Sequence, residues 1–446
     1  MTLLAFIIGI TFLIAVHELG HYWAARFCHV KVLRFSIGFG RPLWIFKRGV
    51  TEWAFCAIPL GGYIKLLGDG NHRISAKDRS FSFGVQSLGK RVAIIAAGPI
   101  ASLLLAVLLS FFVLLQGEEQ IKPLVGTVVP QTPAATAGFI AGERIAFVDN
   151  QMINSWQELQ RALLESQNHQ AINVTVVNSL GQTIVRQINL MRFTQQSHSL
   201  IYADKIGLYA ERILPIIGQI DPIGPAAKAG LQVGDYLLFA DKQPILNWQQ
   251  FIVQVKNNPG KLLSLTVKRG QYIKHFSVRL NTINEDDFPV GKIGLMGQPD
   301  MVWHRQLVQF YQPNFLEALQ MGCQRTIRAS WMTFSLIGRI ALGDATLANH
   351  MVGPLTMARL AGETAKLGWL TYLQFLALVS MSLGVINLLP IPILDGGRLV
   401  YCMIEWINRR PMSRHIQEKY DLMGMLFLFF LMAIALFNDF SYFLAS

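Results

Sequence analysis

Leu13–Phe27 reads LIAVHELGHYWAARF, and the rest of the chain is organised around it. The stretch holds His17, Glu18 and His21 in HExxH spacing. Residues four apart share one face of an α-helix, so the two imidazoles can hold a single metal ion together. Glu18, beside them, is placed to accept a proton rather than to ligate. Two imidazoles and a base are the core of a zinc hydrolase site. The setting of the motif decides the fold. Thr2–Val16 carries no charge, so the helix reads as membrane-embedded. Ionisable side chains in such a helix are costly, and they point to function.

Of the 446 residues 52% are hydrophobic and only 15% charged, and the mean hydropathy is +0.37. These values describe an integral membrane protein with soluble insertions. Val92–Leu115, Leu370–Leu394 and Leu422–Phe437 are three further long apolar runs, giving four spans with the first helix. The N-terminus is not read as a cleavable signal peptide, because it lacks a basic leader and cleavage would cut the metal motif. Arg26–Arg91 holds twelve Lys/Arg against three acids, whereas Glu118–Thr371 holds twenty-two against eighteen. The positive-inside rule then puts the first loop in the cytosol and the long insertion outside. The formal charge of +12 is this bias and not a nucleic-acid footprint, since no basic stripe interleaved with aromatics is present. Cys28, Cys56, Cys323 and Cys402 form no CxxC or CxxH pair, and only Cys323 falls outside, so they read as inert thiols.

Val30–Leu67 turns strand-like. VLRFSIGFG, TEWAFCAI and GGYIKLL are short β-rich pieces in which Gly38, Gly40, Gly61 and Gly62 suggest bulges or close backbone approach. An ordinary hairpin is one reading; a sheet edge near the metal, pairing with an extended substrate, is the sharper one. Gly98 and Pro99 interrupt the second span, and a packing role is expected of them. The insertion contains a gapless repeat: Pro133–Gln157 and Pro225–Gln249 match at twelve of 25 positions, among them Trp156/Trp248. Two copies mean two small α+β domains rather than a solenoid. Their Pro-x-Ala-x-x-Ala-Gly-Leu-x-x-Gly-Asp pattern resembles bacterial PDZ domains, more loosely in the first copy, where Phe139 and Glu143 replace Leu and Asp. Ile206–Tyr209 (IGLY) is expected to serve the second copy. Pro313–Leu342 carries Glu317, Arg325, Arg328 and Arg339, and is expected as an amphipathic helix on the outer surface.

The third span ends SLGVINLLPIPILDGGRL, where Asn387, Pro390, Pro392, Asp395, Gly396 and Gly397 break an apolar helix. Such a break is needed by a helix that lines a site. Asp395 is the one acid between Glu363 and Glu405, and metal is a good partner for a buried carboxylate. Counting in from outside puts both His17 and Asp395 near the cytosolic side of their spans. His17, His21 and Asp395 would then leave one position open for water, the pattern of a catalytic zinc site.

HELGH, NLLPIPILDGG, the GFG of the first loop and the paired PDZ-like units together resemble the site-2 protease family of intramembrane metalloproteases, over essentially the whole chain. The resemblance implies one zinc ion held by His17, His21 and Asp395, with Glu18 as base. It implies that Asn387, in the segment with Pro390 and Pro392, holds substrate near the metal, and that the strand-rich region is a membrane-re-entrant hairpin; on the reading of that region as a sheet edge, Gly38, Gly40, Gly61 and Gly62 are expected to meet substrate. It further implies regulated cleavage of a single-span membrane protein of anti-sigma-factor type, already trimmed outside by another protease, as well as of remnant signal peptides. The location implied is a bacterial inner membrane, with the PDZ-like units in the periplasm as a size filter and lipid as surroundings.

The expected architecture is thus an α-helical integral membrane protein of four spans, with a membrane-associated β-hairpin region and two inserted external PDZ-like α+β domains. Its parts are 1–27 (first span), 28–91 (cytosolic or re-entrant β-rich region), 92–117 (second span), 118–200 and 201–290 (the PDZ-like pair), 291–369 (amphipathic helical region), 370–397 (third span), 398–420 (cytosolic loop) and 421–446 (fourth span). Two alternatives stay open. One is a PDZ adaptor with a vestigial metal site, against which the intact motif residues argue. The other is a metal transporter, which would show paired repeats in the spans rather than outside.

Overall fold

A computed structural model describes residues 2–68, 75–166, 170–189, 206–285, 288–341, 353–410 and 412–445. The chain forms two compact units, Met1–Gly117 with Gln312–Ser446, and Glu118–Tyr311. Among the described residues four helices are long and apolar enough to cross a membrane: Thr2–Phe27, Leu88–Leu115, Trp369–Leu388 and a stretch over His415–Asp439.

In the helical unit, α1 (Thr2–Phe27) leads into a two-stranded hairpin, β1 (Val32–Arg48) and β2 (Thr51–Leu66). The hairpin curls on itself. Arg34–Ile37 pairs with Glu52–Phe55 on one side, while Val32–Ile37 pairs with Gly62–Leu66 on the other. Gly62–Leu66 is therefore an edge, and the three pieces read from sequence are the three rungs. Gly38, Gly40 and Gly61 have φ of 89°, 84° and 135°, at the shifts in register that the curl requires. Towards its turn the hairpin exposes Leu43, Trp44, Ile45 and Phe46.

α2 (Leu88–Leu115) runs unbroken through Gly98 and Pro99. The expected interruption is a tight contact instead: a Cβ on Gly20 of α1 would lie 2.4 Å from the Ala97 carbonyl oxygen of α2. α3 (Phe315–Ala341) corrects a second expectation, since it packs lengthwise on α2 rather than lying apart on a surface. Phe315 meets Phe111 edge to face at 5.0 Å, and Gly322 sits against Val107 and Phe111. The reason is a stripe of small side chains, Ala318, Gly322 and Thr326, four residues apart, which lets two helices approach closely.

α4 (Pro354–Leu367) and α5 (Trp369–Leu388) follow. The chain then leaves helical geometry until α6 (Asp395–Asn408), and α7 (Arg414–Ala445) ends the described chain. The third span thus stops at Leu388, and the loop expected over 398–420 is largely helix, because Leu399, Val400 and Cys402 give α6 an apolar side to bury. Within the break Ile393 has φ 81°. A β-branched residue held there is strained by about 1–3 kcal/mol, and such strain is a pointer to a site.

The inserted unit contains two hydrophobic cores, one for each repeat. Around the first, strands pair in the order Gln151–Met152, Arg144–Val148, Ala171–Val177, Thr183–Asn189; around the second the path is Tyr272–Arg279, Leu262–Arg269, Tyr236–Ala240, Ile213–Ile220, Leu295–Pro299. Each repeat has a helix begun by the same device. Ser155 caps Trp156–Glu165 and Asn247 caps Trp248–Lys256, each side chain accepting the N–H three residues on. Trp156 and Trp248 are buried in the respective cores. IGLY belongs to the first copy, contrary to expectation: Ile206 and Leu208 enter the first core, and Leu208–Tyr209 pairs with Thr127–Val128. The matching stretch of the second copy is Ile293–Met296 (IGLM), so each repeat is closed by a strand from its own C-terminal end. The expected boundary at 200/201 lies outside the described residues. After the second copy the chain returns, and Trp303 and Leu307 complete the first core.

Each repeat also buries an acid against an arginine, Glu143 with Arg186 and Asp235 with Arg269. Burial alone would raise the Asp235 carboxyl, but the Arg269 guanidinium and the Gln232 N–H outweigh it and hold the group below its ordinary range. A depressed carboxyl stabilises the fold at pH values above its unfolded pKa, and that contribution is lost as pH falls through the folded one. Asp235→Asn is therefore expected to destabilise the second core by about 3 kcal/mol at neutral pH. The difference from wild type should shrink in acid, and Trp248 fluorescence during denaturation would show both effects. Equal stability at neutral pH would remove the ion pair from this account.

Candidate metal centre

The site is built on one face of α2. A Cβ placed on Gly98 would lie 2.1 Å from His21 Nε2, so only a bare backbone lets α1 bring that ring in. One turn earlier the Ile94 carbonyl accepts from His21 Nδ1 at 2.8 Å. One turn later Ser102 Oγ lies 3.0 Å from His17 Nδ1. With both Nδ1 atoms engaged in this way, the two Nε2 lone pairs are turned towards a common point. Asp395, first residue of α6, brings Oδ2 to 3.2 Å from His17 Nε2 and 3.3 Å from His21 Nε2, and the two Nε2 atoms are 3.3 Å apart.

Three electron-pair donors at this spacing repel one another unless a cation or a proton lies between them. Tetrahedral zinc with bonds of about 2.0–2.1 Å sets its ligands about 3.3–3.4 Å apart. The observed triangle matches that edge length, and these ligand atoms could hold a metal ion. The residues fit the group.

Glu18 is buried beside the two histidines. All four side chains line a cavity of ≈ 590 Å³. Its other walls are apolar residues of α1, the edge Gly61–Ile64, Leu66, and the end of α5 at Leu383 and Asn387. Close approach is again secured by a glycine, since a Cβ on Gly62 would lie 2.9 Å from Glu18 Cγ.

The structure thus brings together His17, Glu18, His21, Asp395, Asn387, Gly61 and Gly62. Asn387 donates Nδ2–H to the Leu383 carbonyl at 2.9 Å. Gly38 and Gly40 do not line the cavity, which Phe39 reaches between them; they serve the hairpin's curl. Pro390 and Pro392 are also outside its lining, and Pro392 packs under Gly424 of α7. Sequence reasoning missed Ile94, Ser102 and Arg398, which lines the cavity one turn beyond Asp395, and it saw Gly98 only as packing. The available signal was the four-residue spacing of Ile94, Gly98 and Ser102, which repeats that of His17 and His21.

Comparison with known proteins agrees with this site. The family model described as Peptidase family M50 matches residues 5–431. A protein of Neisseria meningitidis serogroup A, named provisionally as a zinc metalloprotease, is 40% identical over 439 residues, covering 98% of each chain. The regulator of sigma-E protease RseP of Escherichia coli is 36% identical over 450 residues, and that of Salmonella typhimurium 34% over 446, again with 98% of each chain covered. Among solved structures, the PDZ domain of an SdrC-like protein of Listeria monocytogenes aligns with 18% of this chain and 84% of its own, at 22% identity and a TM-score of 0.17, too low to carry a statement of fold. A family match running from the first helix into the last, with relatives of this identity along the whole length, means that the chain belongs to peptidase family M50 and is a site-2-type metalloprotease.

Proposed function

We propose that this metalloprotease is zinc-dependent, holds one ion on His17, His21 and Asp395, and hydrolyses a peptide bond within the membrane segment of a single-span protein. The observation that carries the reading is the convergence of three ligand atoms and a carboxylate in one cavity, with the two histidines and Glu18 on a helix apolar enough to cross a membrane. A zinc ion bound there supplies a Lewis acid that acidifies water and polarises the scissile carbonyl. Glu18 takes the proton of the attacking water and passes it to the leaving amine. Ser102 and the Ile94 carbonyl hold His17 and His21 in the tautomer and orientation that ligation needs.

A helical substrate hides its carbonyls, so the membrane segment must unwind before cleavage. The edge Gly62–Leu66 offers backbone for an extended chain to pair with, and Asn387 faces the same space. A proline at Tyr63, in the middle of that edge, is expected to cut turnover about tenfold or more with metal content unchanged. Equal loss of metal would make the edge structural only.

The substrate class favoured is an anti-sigma factor trimmed beforehand by an external protease, whose cleavage releases a sigma factor for envelope-stress response; remnant signal peptides are a second class. The names of the curated relatives support the first. The chain would sit in the bacterial inner membrane among its lipids. The Lys/Arg bias favours a zinc site towards the cytosol and the inserted unit in the periplasm. There the two repeats would act as PDZ-like domains that exclude substrates with bulky external parts.

The deciding experiment is cleavage of a trimmed single-span substrate by purified protein, with and without chelator and with bound zinc assayed. Cleavage within the membrane segment that is lost and regained with zinc supports the reading. A protein that binds zinc and cuts nothing, even with Glu118–Tyr311 deleted, would be an adaptor instead.

A further inference from the structure

Arg91, Ile94, Gly98 and Ser102 lie three, four and four residues apart, along one face of α2. The last three meet the histidines. The first reaches α6, the helix that begins with Asp395. Arg91 grips Glu405 with a two-pronged pair, NH1 to Oε2 at 3.0 Å and NH2 to Oε1 at 2.6 Å. Both side chains are largely buried, at 16% and 23% exposure. One face of α2 therefore contacts every element that contributes a ligand.

Asp395 needs such a contact more than the histidines do. His17 and His21 sit mid-helix on α1, whereas Asp395 follows a non-helical break and opens a new helix. The near end of α6 is pinned in place, because Cβ atoms on Gly396 and Gly397 would lie 2.1 and 2.4 Å from the carbonyl oxygens of Leu389 and Ile391. Further along, α6 is tied to α7 by Tyr401, which donates to Asp421 Oδ1 at 2.8 Å, and to α2 by Glu405 on Arg91. Asp395 and Glu405 are ten residues apart, about 15 Å along the helix and about 80° around it. The fork on Glu405 is the ion pair that references α6 to the same face of α2 that holds the histidines, and it opposes the roll that would swing the Asp395 carboxylate out of the triangle.

We propose that Arg91, acting through Glu405, is the positioning residue that sets Asp395 against His17 and His21. The proposal rests on the metal-centre reading above. The test uses the purified full chain as wild type, Arg91→Gln, Glu405→Gln and the swap Arg91→Glu with Glu405→Arg. Lys31→Gln is the control, since the Lys31–Asp78 pair touches neither α2 nor α6. Zinc retention is read by chelator titration, and kcat and KM on a trimmed substrate are read separately.

Each single variant is expected to give up zinc about tenfold more readily and to lose kcat with KM unchanged, while the swap recovers both and Lys31→Gln matches wild type. Single variants with wild-type zinc affinity would overturn the proposal, and so would a swap that recovers nothing. If the single variants fail to accumulate, the swap decides alone: near-wild-type zinc affinity supports the proposal and its loss overturns it. A wild-type protein that binds no zinc would instead sink the metal-centre reading.

Discussion

Glu18→Gln is expected to keep its metal and lose turnover by about 10²- to 10⁴-fold, the range assigned to a positioned general base. Glutamine fills the same volume and still accepts a hydrogen bond, so the cavity and the triangle of His17, His21 and Asp395 are left as they are. What disappears is the ability to take a proton. Glu18 lies off that triangle: the groups that converge within 4.8 Å are the histidines and Asp395. Chelator titration and a cleavage assay on the same preparation separate the two roles. A parallel loss of zinc would make Glu18 a ligand, and undiminished turnover would move the base elsewhere.

Gly98→Ala is expected to weaken zinc binding about 10- to 100-fold, from an overpacking cost of about 1–3 kcal/mol. One methyl group is added, but it would sit within 2.1–2.7 Å of three atoms of the His21 ring. The helices cannot part cheaply to admit it, because Gly20 of α1 already lies against Ala97 and Ala101 of α2. The ring must therefore swing, and the contact between its Nδ1 and the Ile94 carbonyl goes with it. Gly89→Ala on the same helix is the control, since a Cβ there meets nothing within 4 Å. Wild-type zinc affinity in Gly98→Ala would mean that α2 does not set the ring.

Much of the site was legible in the chain because its signals are local. HExxH puts two imidazoles on one helical face whatever the rest of the protein does, and fifteen uncharged residues before it place that face in an apolar medium. The break between Leu388 and Asp395 is equally local, because Pro390 and Pro392, two residues apart, both lack the N–H that a helix would need there. The β-rich pieces announced themselves by composition, and the repeat by its constant offset.

Contacts that depend on which helices become neighbours were not legible. The spacing of Ile94, Gly98 and Ser102 marks one face of α2, but it does not say that this face meets α1, that Gly98 lies under His21, or that Arg91 reaches a glutamate more than 300 residues away. Ile206–Tyr209 could be assigned to either repeat until strand pairing gave it to the first. The amphipathic stretch before α4 was misplaced for the same reason, since its charges suggested a surface while its small-residue stripe found α2. The chain by itself determined the chemistry: two histidines, a base and an aspartate, each marked by a short-range pattern that survives in isolation. Only the tertiary structure decided the geometry, because distances of about 3 Å between atoms hundreds of residues apart are set by close helix packing, which no single segment encodes.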